Sequence, residues 1–452
     1  MKKFLYAAMA ATVLFASCAK DGSETTPAGG GQEGGKATLI LKMAFPRTYA
    51  ESAATAGESK VNTVDVFIFN KADGSLVNHK PLTDADFTPS GNDYVANDGI
   101  ETTAGAKLIG IGINLPATIV SNINNTVKNA SAVESYVYSV TASSIAAPNS
   151  FVMFSTEMAD ETLKADDDPG FVSGTDNVIS VDIERMAGKG AVATTAAYTP
   201  AVGSLATVNA LEYRLMQTNT KSYLMRNADG KDPNYVSSDF ITSGVPSGTQ
   251  YDASVFENTV AADYIAVGAV TSYAADFSDC PAFYGAENTS DFYQKGTSTY
   301  FLVRAQVTPN DIVDGTNTSQ GAGTPGASFY MVTDGTTTLF TANPIDAGAL
   351  SNNATAFPGG PSSVDVTTYT DGYCYYSVFV GSASAPGNTG RAFLRNNFHI
   401  GQIKAINGIG KSTEPEVIVP PTAPVDGELA TIDVEFKVLN WTLNPGDEVE
   451  LE

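Results

Sequence analysis

Apolar and polar residues alternate with period two at both ends of this chain. Near the N-terminus, Leu39, Leu41, Met43 and Phe45 alternate with Thr38, Ile40, Lys42 and Ala44. At the C-terminus, Ile432, Val434, Phe436 and Val438 alternate with Asp433, Glu435 and Lys437, and the only tryptophan, Trp441, follows. Period two marks a strand with one buried face. The first predicted strand, Thr38–Phe45, is stopped by Pro46. The last, Thr431–Val438, is unusually well formed for a terminus, which is commonly polar and frayed. Between them lie many short strand-like runs, including Val64–Phe69, Leu108–Asn114, Tyr136–Val140, Val178–Glu184, Ala210–Met216, Tyr300–Val307, Ser328–Thr333, Tyr373–Val380 and Phe398–Ile406. Gly, Asn, Asp, Ser, Thr and Pro separate them, and helical periodicity is scarce. Short helices are expected only near "ESAATAGESKV" and "TVKNASAVES". Short strands with turn punctuation predict an all-β chain of β-sandwiches.

Strand-pattern density falls in "GKGAVATTAAYTPAVGS", which sets a domain boundary near residue 190. The division expected is 48–190 for one domain and 191–410 for a second. The polar stretch 217–297 reads as an insertion on the second domain. Residues 411–428 are Pro-rich and lack turn logic. Such a segment runs extended at roughly 3 Å per residue and would hold residues 429–452 tens of ångströms from the body.

The length of 452 residues favours about two domains. Charged residues make up only 16%, and the net charge is −24. A chain this acidic lacks the clustered Lys and Arg that nucleic acid requires, and anionic lipid surfaces repel it. Chemistry is equally sparse. The two histidines are His79 and His399, and no G-x-S-x-G elbow, HExxH, phosphate-binding loop or EF-hand loop occurs. "ADDDPG" (165–170) could offer oxygen ligands to Ca²⁺, but a solvated turn is the preferred reading. Tyr373, Tyr375, Tyr376 and Phe379 could stack on a sugar; packing on both faces of a central strand is preferred. No enzyme, metal or cofactor is expected. Of the three cysteines, Cys18 lies in the leader. Cys280 and Cys374 either pair in an oxidising compartment or stay as two separate buried thiols, the preferred reading.

The leader has a basic start at Lys2 and Lys3, an apolar run Phe4–Phe15 and the small pair Ala16–Ser17. The apolar run is too short to span a bilayer, so residues 1–17 read as an export signal. A cysteine directly after the small pair resembles a bacterial lipobox. Cys18 would then be acylated, with 19–36 as a Gly-rich tether. Arg47 opens a patternless stretch running to Lys60; it is either an easy proteolytic target or, the reading preferred on position alone, an ordinary surface arginine.

Several segments together resemble the fimbrillins, the shaft subunits of type V pili on Bacteroidia. They are "YFLVRAQVTP" (300–309), "RNNFHIGQIKAINGIG" (395–410) and "VEFKVLNWTLNPGDEVEL" (434–451), supported by "VDIERMAGKGAV" (181–192). The details look closer to the minor (short) fimbrium subunit than to the major one. The resemblance implies two transthyretin-like, Greek-key β-sandwiches and a lipoprotein precursor. It implies that an arginine-specific protease cuts between Arg47 and Thr48, so that residues 18–47 form a propeptide. The removable first strand would carry Leu39, Leu41, Met43 and Phe45. The donor strand of a neighbouring subunit would fill the vacated groove with Ile432, Val434, Phe436, Val438 and Trp441. Such a head-to-tail contact does not close and builds a filament. Implied partners are further copies of the chain, accessory anchor and tip subunits, the protease, and host or bacterial surface receptors. The implied location is the outer membrane for the precursor and extracellular fimbriae for the mature form, with membrane contact only through the precursor lipid.

Two other readings share parts of this pattern. A monomeric glycan-binding lipoprotein would keep its lipid and first strand. A tip subunit would need no donor strand, and an anchor would resist the cut at Arg47.

Overall fold

A computed structural model describes residues 34–44, 51–53, 56–90, 93–196, 201–234, 256–259, 263–271, 280–289, 294–381, 392–419, 423, 425 and 432–442. The fold is all-β with few short helices. The first strand, β1, spans Lys36–Ala44, and β2 is the three-residue Glu51–Ala53. Then come β3 (Thr63–Asn70), β4 (Leu76–Thr83), β5 (Phe87–Ser90), β6 (Asp93–Ala96), β7 (Ile100–Thr103) and β8 (Gly105–Ile113). After three short helical turns, β9 (Met153–Ser155), β10 (Ala159–Leu163) and β11 (Val178–Arg185) complete the first sheet. Its order is β4-β3-β8-β9-β11-β1-β6-β5, with β10 beside β8 and β7 beside β1. In β3 both faces are buried. Val64, Val66 and Ile68 enter the main core, while Phe67 and Phe69 pack under the helical turns around Ile119 and Val133. That accounts for its continuous apolar run. The predicted helices are present as Ala56–Ser59 and Ala130–Glu134, the second capped by the Asn129 side chain accepting from the Ser131 amide.

The second sheet begins with β12 (Ala187–Thr195), one residue after β11 ends. Its other long strands are β13 (Ala206–Met216), β14 (Phe283–Ala286), β15 (Tyr300–Pro309), β16 (Tyr373–Phe379) and β17 (Asn397–Ile406). The change of sheet therefore falls at Met186, ahead of the expected position near 190. The start of the stretch where strand-pattern density falls is a core strand: every residue from Ala187 to Thr194 is buried. Its residues are small because the neighbours are close. A Cβ on Gly188 would lie 2.7 Å from the Leu394 carbonyl oxygen, and one on Gly190 2.9 Å from the Phe301 ring. Small residues hide a strand from any pattern built on large apolar side chains.

The C-terminal strand β18 (Ile432–Thr442) pairs antiparallel with β17 of its own chain, from Ile432 opposite Ile406 to Asn440 opposite Asn397. It also runs parallel to β2, with Glu51 opposite Asn440. This corrects the expectation of a strand held tens of ångströms away on an extended spacer. Residues 414–418 form a 3-10 turn, and Val417 is buried with Tyr300, Leu302 and Phe379. Lys411 exchanges backbone hydrogen bonds with Tyr375 at 2.8 and 2.9 Å. Glu414 binds Arg214 and, at 2.9 Å, the Tyr264 hydroxyl. The outer face of β13–β15–β16 carries apolar groups that need cover, and the Pro-rich segment supplies it. Cys280 and Cys374 are two separate buried thiols.

Candidate functional site

β1 is an inner strand of the first sheet. It runs parallel to β11, with Leu41 opposite Ile179 and Met43 opposite Val181. On its other side it runs antiparallel to β6 and β7, with Lys42 opposite Val95 and Leu39 opposite Ile100. The alternation read from the sequence maps onto burial. Ala37, Leu39, Leu41 and Met43 are completely buried in the main core, while Thr38, Ile40 and Lys42 are partly exposed. Phe45, Arg47, Thr48 and Cys18 lie outside the described residues.

Polar groups fix the start of β1. The Thr38 amide donates to Asp166 Oδ1 at 2.7 Å, and its hydroxyl donates to Oδ2 at 2.8 Å. Asn177 Nδ2 donates to the Thr38 carbonyl at 3.1 Å, and the Asn177 carbonyl accepts from the Ile40 amide at 2.8 Å. Asp166 belongs to "ADDDPG". Instead of gathering around a cation, the loop pins β1 with Asp166 and turns with Asp168 Oδ1 accepting from the Gly170 amide at 2.7 Å. Among the described residues no group of His, Cys, Asp and Glu is arranged to hold a metal.

At the other end, Ile432 is buried and Val434 packs against the second core. Phe436, Val438 and Trp441 lie on β18, described through backbone pairing alone: Phe436 is opposite Gly401, Val438 opposite His399, and Trp441 opposite Ser52.

Where the two sheets meet, charged side chains are buried together. Glu58 pairs with Lys189 at 2.9 Å and accepts from the Tyr284 hydroxyl at 2.5 Å, and its carbonyl accepts from Arg185 Nε at 2.9 Å. Arg395 pairs with Glu287 at 2.6 Å and approaches Glu184 at 3.9 Å, and Arg226 pairs with Glu184 at 2.9 Å. Burial pushes Arg185 down to about 10 against the pull of Glu58. Burial also raises Glu184, with Arg395 and Arg226 opposing. Sequence reading did not single out this network as a site, yet Glu184, Arg185 and Lys189 lie in "VDIERMAGKGAV" and Arg395 in "RNNFHI". The usable signal was charge inside otherwise apolar strand patterns.

The remaining chemical candidates have structural roles. His79 stacks on Phe67 at 4.8 Å and bonds Asp65 and Asn124, both at 2.8 Å. His399 is completely buried. Tyr376 packs in the second core, and Phe379 packs on the opposite, outer face beneath Val417. Tyr373 lies on the outer face, where Arg304 sits between its ring (4.7 Å) and that of Tyr264 (3.7 Å).

Residues 37–185 match the family model for the major fimbrial subunit protein (FimA). The match begins on β1 and ends on the last residue of β11, the span of the first sheet. That span resembles the fimbrial-subunit family of the fimbrillins. No curated protein matches its sequence significantly. Among solved structures, the chain resembles a fimbrilin (FimA) from Porphyromonas gingivalis at 16% identity and TM-score 0.50, over 91% of this chain and 99% of that one. It also resembles a putative cell adhesion protein from Parabacteroides distasonis (15%, TM-score 0.47, 91% and 98% covered). A third is the tip fimbrial protein Mfa3 from Porphyromonas gingivalis (12%, TM-score 0.40, 90% and 100% covered). The family matched over residues 37–185 is one of structural fimbrial subunits.

Proposed function

We propose that this chain is a fimbrillin, a fimbrial shaft subunit that polymerises by donor-strand exchange. Its precursor is exported, acylated at Cys18 and anchored in the outer membrane by that lipid. An arginine-specific protease cuts between Arg47 and Thr48, and residues 18–47 leave with β1. The strand Ile432–Thr442 of a second copy then takes the vacated place. Filaments built this way join accessory anchor and tip subunits and carry adhesion to host or bacterial surfaces.

The observation that carries this reading is the position of β1. It is an inner strand of the sheet, yet the only segment between it and the leader is a tether. Burying a large apolar side chain contributes roughly 1.5–3 kcal/mol. Withdrawal of Leu39, Leu41 and Met43 therefore costs roughly 5–9 kcal/mol in lost burial, and it leaves the facing edges of β11 and of β6 and β7 without their ladder. A strand with the same alternation restores both. Ile432, Val434, Phe436 and Val438 supply that alternation, and Trp441 extends the apolar strand beyond it.

The test is polymerisation of recombinant protein starting at Ala19. One sample is cut with an arginine-specific protease, another carries Arg47→Ala, and both are run unboiled on a denaturing gel. An oligomer ladder is expected only in the cut sample, and it should vanish when Thr431–Glu452 is deleted. Monomers throughout would overturn the shaft reading.

A further inference from the structure

Among the Ala-Thr pairs of the chain, only two continue with apolar residues at the third, fifth and seventh positions: Ala37-Thr38-Leu39-Ile40-Leu41-Lys42-Met43 and Ala430-Thr431-Ile432-Asp433-Val434-Glu435-Phe436. The first is β1. The second runs into the C-terminal strand, described from Ile432 onward. Every polar group of Thr38 is engaged: amide and hydroxyl by the two oxygens of Asp166, carbonyl by Asn177. The niche also fits the methyl group. A Cβ on Gly99 would come within 2.1 Å of Thr38 Cγ2, so glycine there leaves the room that threonine occupies.

We infer that Asp166, Asn177 and Gly99 form a register-setting niche that receives Thr431 of a second copy of this chain. The inference rests on the strand-exchange reading above and adds to it a position and a direction. The donor runs parallel to β11, and Ala430–Val438 takes the places of Ala37–Phe45 residue for residue. Apolar contacts alone do not choose this register. A slip by two residues keeps every apolar side chain on the buried face, because the alternation repeats every two. A two-point contact to one carboxylate does choose it. A slipped donor would set Asp433 or Leu429 at the niche in place of Thr431. Asp433 would bring a second carboxylate against Asp166, and Leu429 would offer no hydroxyl. The adjacent Asp433 and Glu435 then fall on the partly exposed face now held by Ile40 and Lys42.

Disulfide trapping reads the register directly. Lys42 lies opposite Val95 in the chain as folded. In the inferred register Glu435 of the donor lies opposite Val95 of the acceptor. Chains starting at Ala19 and carrying Val95→Cys with Asp433→Cys, Glu435→Cys or Lys437→Cys are cut at Arg47 and oxidised mildly. The Val95–Glu435 pair is expected to cross-link between subunits, and the other two pairs are not. Thr431→Val, which leaves the precursor's own Thr38 contacts intact, is expected to slow the ladder about tenfold, the size of one lost hydrogen bond to a charge. Thr431→Ser restores it. Asp166→Asn is expected to slow it similarly, and the double variant no further, because both act on one contact. A ladder with dominant cross-linking at Asp433→Cys or Lys437→Cys overturns the register while strand exchange stands. A ladder indifferent to Thr431→Val and Asp166→Asn overturns the niche. If the unsubstituted cut chain forms no ladder, strand exchange fails and this inference fails with it.

Discussion

Acid should weaken this protein through one buried histidine. His399 sits in β17, completely buried, with the Phe393 ring centroid 4.7 Å away. The Leu394 amide donates to its Nε2 at 3.0 Å, which places the ring proton of the neutral form on Nδ1. Among the described residues Nδ1 has no hydrogen-bond partner. A second proton would put charge into apolar surroundings, opposite an amide that already donates. Burial accordingly lowers His399 from 6.5 to about 4, with the Leu394 backbone contact opposing. Between those values the unfolded chain binds more protons than the folded one, so stability rises with pH through the window. It is fully retained above pH 6.5 and lost progressively as pH falls to about 4. At 1.36 kcal/mol per unit, the loss is about 3 kcal/mol. Asp232 works in the opposite sense. Burial raises it from 3.8 to about 6, so its share of stability grows as pH falls through that window. Comparison with His399→Gln cancels Asp232, which both proteins carry. Urea unfolding at pH 7 and pH 4.5 should show the wild type losing about 2–3 kcal/mol more than the variant. Equal losses in both would refute the assignment. So would a wild type that gains relative to the variant in acid.

Three further outcomes are expected. Arg395→Met strands Glu287, and leaves the Tyr223 carbonyl without the 2.8 Å bond that it accepts from Arg395; removing one partner of a buried pair should cost about 3–5 kcal/mol in chemical denaturation, and a neutral result would show that the network relaxes. Gly188→Ala drives a Cβ against the Leu394 carbonyl and should cost roughly 1–3 kcal/mol, read as a lowered urea midpoint. Leu41→Ala should destabilise the uncut chain by about 2–5 kcal/mol and leave the Arg47-cut polymer unchanged, because β1 is then gone. A loss persisting in the polymer would mean that β1 stays.

The two strands that carry the proposed exchange were legible because each shows alternation and nothing competes with it. The same reasoning missed β12, whose glycines and alanines carry no amphipathic signal although all but its last residue are buried. It also read Glu414–Ile418 as spacer, because proline suggests extension and no local rule says which sheet face lacks cover. In "ADDDPG" the cluster was visible but its partner was not: Asp166 reaches Thr38 across 128 positions of sequence. The junction network was hidden for the same reason, with Arg185 and Asn396 meeting across 211 positions.

Local pattern by itself determined that this chain is all-β, where its terminal strands lie and that its histidines and acids assemble no familiar catalytic motif. Alternation, turn residues and composition act over a few residues, and a strand's buried face is written in that range. Tertiary structure alone decided which strands are neighbours. It placed β1 between β11 and β6, parked β18 on β17, and gathered Glu58, Glu184, Glu287, Arg185, Lys189 and Arg395 at one junction. Those outcomes depend on packing complementarity and on pairing buried charges across long separations, and neither leaves a periodic trace along the chain.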